Sequence, residues 1–119
     1  MHNFRELKIW QRSRIFVKHI YKVTKRFPGD ERFGLTDQLR RAAVSISSNI
    51  AEGCGRGTDK QLIHFLYIAQ GSMCEVETQI ILAYDLEILE EKAYNYLIQE
   101  IDELQKMNFK LIKRLEANL

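Results

Sequence analysis

Residues 58–83 read TDKQLIHFLYIAQGSMCEVETQIILA, and their spacing decides the fold. Leu62, Phe65, Leu66, Ala69, Met73, Val76, Ile80 and Ala83 recur at three- and four-residue steps, the period of a helix with one continuous buried seam. Thr58 and Gln61 stand three apart just ahead of it, the arrangement of a capping box, whose side chains satisfy the first free backbone donors of a helix. Ile63, Tyr67, Gln70, Cys74 and Ile81 make a second stripe on the other side. Two apolar faces on one long helix ask for burial on both, and a single small bundle has one interior. Ile63, Tyr67, Cys74 and Ile81 are therefore expected to meet another subunit.

The helical period continues on both sides of this stretch. Ile9, Phe16, Val17, Ile20, Thr24 and Phe27 share a face over roughly residues 5–26, with Trp10 and Tyr21 at its margin, and Pro28-Gly29 closes that helix. Leu35, Leu39, Ala42, Ala43, Ile46, Asn49 and Ile50 mark a second helix after Phe33-Gly34, with Gly53 placed as a left-handed C-cap and Gly55 and Gly57 extending the break. Tyr94, Leu97, Ile101, Leu104, Asn108, Leu111 and Leu115 keep a heptad from about Glu91 to Ala117, and the polar Asn108 needs a partner if buried. No strand alternation and no internal repeat interrupts the pattern. A chain of 119 residues suits one domain, so residues 1–119 are expected to form an all-α, antiparallel up-down-up-down four-helix bundle.

Hydrophobic residues make up 45% and charged residues 29%, too apolar for a disordered chain, while one Pro and six Gly are too few for an all-β design. No apolar run is long enough to span a membrane and no secretory signal opens the chain, so a cytoplasmic protein without membrane partners is expected. Cys54 and Cys74 have neither zinc nor redox spacing and read as reduced thiols, Cys54 exposed in a glycine-rich loop and Cys74 packed. His2, His19 and His64 show no metal-ligand spacing, so no metal and no cofactor are expected. Gly53-Cys54-Gly55-Arg56-Gly57 lacks the Gly-Lys-Ser/Thr ending of a P-loop, although Arg56 beside a helix start suits contact with a phosphate. Glu75 follows the small residues Gly71-Ser72, and if buried it would take Arg40 or Arg41 as its cation.

The net charge of +2 hides an asymmetry, since residues 1–57 carry 12 Lys and Arg against 5 acids and residues 58–119 carry 6 against 11. The basic half suits an anionic partner, or pairing with the acidic half. Arg5, Lys8, Arg12, Lys18, Lys22, Lys25 and Arg26 cover the polar side of the first helix and are the leading functional feature. With Arg56 they form a candidate nucleic-acid surface for RNA or DNA. No aromatic platform accompanies it, so phosphate contacts should lead and binding should be sequence-tolerant.

Leu7-Lys8-Ile9-Trp10-Gln11, Glu31-Arg32-Phe33-Gly34-Leu35-Thr36, Gln38-Leu39-Arg40-Arg41-Ala42-Ala43, Ser48-Asn49-Ile50-Ala51-Glu52-Gly53, Gly55-Arg56 and Ile68-Ala69-Gln70-Gly71-Ser72 with Glu75 resemble the four-helix-bundle proteins encoded in intervening sequences of bacterial large-subunit (23S) ribosomal RNA genes. The sharpest part runs from Ser48 to Arg56. The resemblance implies a ring-like homo-oligomer, a cyclic homopentamer with a central channel, and no enzymatic activity. The family is similar to the accessory variability protein of diversity-generating retroelements, a basic pentamer that binds nucleic acid and a reverse transcriptase. On this view Arg41, Ser45, Ser48 and Glu52, one stripe of the second helix, join Arg40, Asn49 and Glu75 in a polar network with the third helix or a neighbouring subunit. Two other readings are a scaffold docking an acidic protein without nucleic acid, and an enzyme built on Arg40, Arg41, Glu52 and Glu75.

Overall fold

The computed structural model describes residues 2–32 and 34–119; Phe33, quoted above, lies outside them. It contains four long helices: α1 Lys8–Thr24, α2 Leu35–Gly55, α3 Asp59–Asp85 and α4 Glu91–Ala117. Short 3-10 turns occupy Phe4–Glu6 and Gly29–Glu31, and no strand is present among the described residues.

α1 starts later than its periodicity suggests. Asn3 Oδ1 accepts from the Arg5 amide and caps a 3-10 turn, after which Leu7 adopts an extended conformation (φ −75°, ψ 125°) that breaks helical continuity. At the other end Thr24 Oγ1 donates to Ile20 O (2.7 Å), and Pro28 prevents further helix.

α2 runs through Gly53 and Cys54 to Gly55, which corrects the expected stop. Gly57 (φ 92°), not Gly53, supplies the left-handed residue between α2 and α3. Gly53 instead lets the helices approach, since a Cβ there would lie 2.8 Å from Phe65 Cβ and 3.0 Å from Leu62 Cδ1. Cys54 is correspondingly buried, not exposed, and burial pushes its thiol pKa up, away from nucleophilic use.

α3 begins where its capping signal places it, with Thr58 Oγ1 accepting from the Gln61 amide (3.2 Å), the one half of the capping box formed among the described residues. It ends in a Schellman motif: the Ile88 amide bonds Ala83 O (2.9 Å) and the Glu87 amide bonds Tyr84 O (3.0 Å). Glu87 occupies the left-handed position, φ 61°.

Cross-helix contacts fix the topology. Along α2 and α3, Gln38 meets Gln79, Ser45 meets Ser72, and Gly53 meets Leu62 and Phe65, so the pair is antiparallel. Ser13 with Ser47 and Thr24 with Arg40 set α1 against α2 in the same sense. Arg12 with Glu103 and His19 with Tyr96 do so for α1 and α4, and Tyr84 with Tyr94 and Gln70 with Gln105 for α3 and α4. The result is an antiparallel bundle measuring 46 × 22 × 20 Å around one buried cluster, which includes Phe16, Ile20, Ile46, Ile50, Leu66, Met73, Ile101 and Leu104.

Buried Asn108 is partnered through its Nδ2, which donates to Leu66 O (3.0 Å) and Gln70 Oε1 (3.1 Å), while its Oδ1 has no partner among the described residues. Gln70 Nε2 donates to Gln105 Oε1 (3.2 Å), and Gln105 Nε2 to Glu77 Oε1 (2.7 Å). A polar ladder thus runs along the α3–α4 seam.

Candidate nucleic-acid interface

Each of the eight cations expected to face a nucleic acid is exposed, but they are not equivalent. Arg12 is bound to Glu103 of α4, Arg56 Nε donates to Glu52 (3.1 Å) and its guanidinium lies 5.0 Å from the Phe65 ring, and Arg5 lies 5.8 Å from the Phe4 ring. Lys8, Lys18, Lys22, Lys25 and Arg26 have no ion-pair partner among the described residues. Exposed pairs of the Arg56–Glu52 kind are worth under about 1 kcal/mol, so a phosphate can compete for them.

The expected polar network is divided into separate parts. Ser45 Oγ and Ser72 Oγ are 2.9 Å apart, and Asn49 Nδ2 donates to Ser45 O (2.8 Å) and Ser45 Oγ (3.0 Å), which ties α2 to α3. Arg41 pairs with Asp37 (2.9 Å), whereas Arg40 donates to Thr24 Oγ1 (2.9 Å) and stands 4.5 Å from the Tyr21 ring. Glu75 is exposed and unpaired among the described residues, so neither arginine serves it, and Ser48 is exposed. The four groups of the supposed catalytic cluster therefore do not converge.

α3 is apolar around most of its circumference. Ile63 is 8% exposed and belongs to the bundle's own core, which corrects its assignment to a subunit interface. Tyr67, Cys74 and Ile81 do reach the surface, joined by Ile68, Leu82 and Leu86, which the two-stripe reading missed. No charged residue lies between Lys60 and Glu75.

Folding redistributes the charge. Antiparallel packing gathers residues 2–15, 46–71 and 105–119 at one end of the bundle, with 10 Lys and Arg against 4 acids. The other end, residues 16–32, 34–45 and 72–104, holds 8 against 12. The two halves of the sequence are thus not the two halves of the molecule. Lys22 of α1, with Lys25 and Arg26 in the turn that follows it rather than in the helix as expected, shares an end with Asp85, Glu87, Glu90 and Glu91, while Arg5 and Lys8 join Lys106, Lys110, Lys113 and Arg114 of α4. In that second group Phe109 is 61% exposed with Lys113 Nζ 5.2 Å from its ring, an aromatic surface that reading α4 only for its buried seam does not reveal.

A cleft of about 740 Å³ lies between α1 and α4 at the less basic end. Val23, Phe27, Leu89 and Ala93 give it apolar walls, and Lys22, Arg26, Lys92 and Glu90 edge it. Beside it His19 Nδ1 and Glu100 Oε2 are 2.7 Å apart. Burial pushes the Glu100 carboxyl above its usual pKa, opposed by the hydrogen bond and charge of His19 and the charge of Arg12. Among the described residues no group of three His, Cys, Asp or Glu could hold a metal ion, and no helix is long and apolar enough to cross a membrane.

The class of protein is thus an all-α antiparallel bundle of four long helices. The family model for the 23S rRNA-intervening sequence protein matches residues 5–110, and the chain belongs to that family. Among solved structures, a protein of unknown function from the S23 ribosomal protein family of Bacteroides thetaiotaomicron VPI-5482 is similar, with a TM-score of 0.82 and 24% identity over 88% of this chain and 98% of that one. That likeness concerns the fold. No curated protein matches this chain.

Proposed function

We propose that copies of this bundle assemble through the outward face of α3, and that the assembly binds RNA or DNA through α1 as a non-enzymatic cytoplasmic adaptor. The observation that carries the binding is the set of five exposed cations without ion-pair partners among the described residues, Lys8, Lys18, Lys22, Lys25 and Arg26. Cations left free by the fold release counterions from a polyanion without first breaking a bond within the protein. Exposed Tyr67, Ile68, Ile81 and Leu82 support assembly, because that much apolar side chain on one helix face is disfavoured in water. A ring, of five copies as the family resemblance implies, would multiply the charge presented to one strand and steepen the salt dependence.

The test is a salt titration against RNA, single-stranded DNA and duplex DNA beside a mass determination. Lys18→Glu, Lys22→Glu and Lys25→Glu together should abolish binding at moderate salt with helicity unchanged. No retention of any nucleic acid by the wild type at low salt overturns the binding, and a monomeric mass at high concentration overturns the assembly.

The cleft favours a second reading, a scaffold for an acidic protein, since apolar walls edged by Lys22, Arg26 and Lys92 suit an acidic amphipathic segment. A partner that co-purifies undiminished after nuclease treatment would support it over the first.

A further inference from the structure

We infer that the outer face of α4 near its C-terminus is a binding surface for single-stranded nucleic acid, with Phe109 as a stacking platform for an unpaired base and Lys106, Lys110, Lys113 and Arg114 holding the flanking phosphates. The inference rests on the nucleic-acid reading above and adds to it a site on a different helix and a strand preference.

Three observations carry it. First, α4 has four cations and no acid from Leu104 to Leu115, and of the four only Lys106 has an ion-pair partner among the described residues, Asp102 at 3.0 Å. Second, Phe109 is 61% exposed in the midst of those cations. A phenyl ring held in water among ammonium groups gains little within the bundle beyond the Lys113 contact at 5.2 Å. Third, the antiparallel packing places this stretch at the basic end, beside the start of α1 with Arg5 and Lys8 and at the level of Arg56 and Lys60.

Lys106, Lys110 and Lys113 lie on one outward stripe, successive positions roughly 4.5–6 Å apart along the axis, so a backbone can track along them. A base splayed from that backbone meets the Phe109 ring. In a duplex the bases are already stacked on one another, leaving the ring nothing to bind. Cations alone would hold both forms; the aromatic ring separates them.

The experiment is a fluorescence-anisotropy titration with labelled oligouridylate, oligothymidylate and a DNA duplex of equal length, each variant also weighed by light scattering. Lys110→Glu with Lys113→Glu should weaken both single strands and the duplex. Phe109→Ala should weaken both single strands about tenfold and leave the duplex and the mass unchanged. Unaltered binding by the lysine pair, an equal effect of Phe109→Ala on single strand and duplex, no effect on either, or a lower mass would each overturn the inference. Loss of binding in the α1 triple variant with none in the α4 pair would remove this site and leave the first proposal standing. Failure of the wild type to bind any of the three would remove both.

Discussion

Gly53 lies so close to Phe65 that the methyl group of an alanine at residue 53 would come within 2.8 Å of the Phe65 Cβ. Both atoms belong to the bases of side chains, so no rotamer change relieves the overlap, and the helices themselves must separate. Alanine inside a helix is ordinarily favoured over glycine by about 1 kcal/mol. Here overpacking should outweigh that gain, and Gly53→Ala is expected to lower stability by about 1–2 kcal/mol in urea unfolding.

Gly71 is the opposite case. It sits inside α3 with nothing among the described residues within 4 Å of where a Cβ would be. Gly71→Ala should therefore stabilise the protomer by about 1 kcal/mol. If a second copy packs on this face, the same change should shift the concentration dependence of mass towards smaller species. An unchanged mass profile would exclude close contact at Gly71.

Glu87 holds a left-handed conformation, φ 61°, at the end of α3. An L side chain is disfavoured there by about 1–2 kcal/mol, whereas glycine is at ease. Glu87→Gly should raise the melting temperature by roughly 4 °C. The reverse result would mean that the Glu87 side chain makes a compensating interaction.

Glu100 sets a pH dependence. Its Oε1 is buried without a hydrogen-bond partner among the described residues, and burial raises its carboxyl above the ordinary value of 4.5. The folded state consequently holds this proton more tightly than the unfolded state. The contribution is fully present below the unfolded value and is lost as pH rises through the folded one. Glu100→Gln should flatten this part of the profile of melting temperature against pH, from 4.5 upward. A slope identical to the wild type would show that another group governs it.

The ends of α3 and α4 were legible because a capping box, a heptad and the break between them all agree. Gly53 and Cys54 were not, because glycine serves both to end a helix and to let another approach, and spacing cannot separate these uses. The core of α3 was readable, yet Ile63 and the outward residues Ile68 and Leu82 were misassigned or missed, since a helix whose outer face mixes apolar residues with Glu75 and Thr78 gives only a weak phase to read. The α1 cations were found, but their surroundings depend on which turns of four helices stand level. The α4 patch did carry a linear signal, four cations and no acid from Leu104 to Leu115, overlooked beside the regular leucines of the same helix.

A seam of repeating leucines is nearly indifferent to sliding by one repeat, and α4 taken alone could seat itself seven residues out of place. The rungs formed by Asn108, Gln70, Gln105 and Glu77 act like the teeth of a key. A displaced α4 would bring Ile101 or Leu115 opposite Gln70 and leave an amide stranded in oil. The bundle thereby rejects misthreaded versions of itself that its greasy interior would accept.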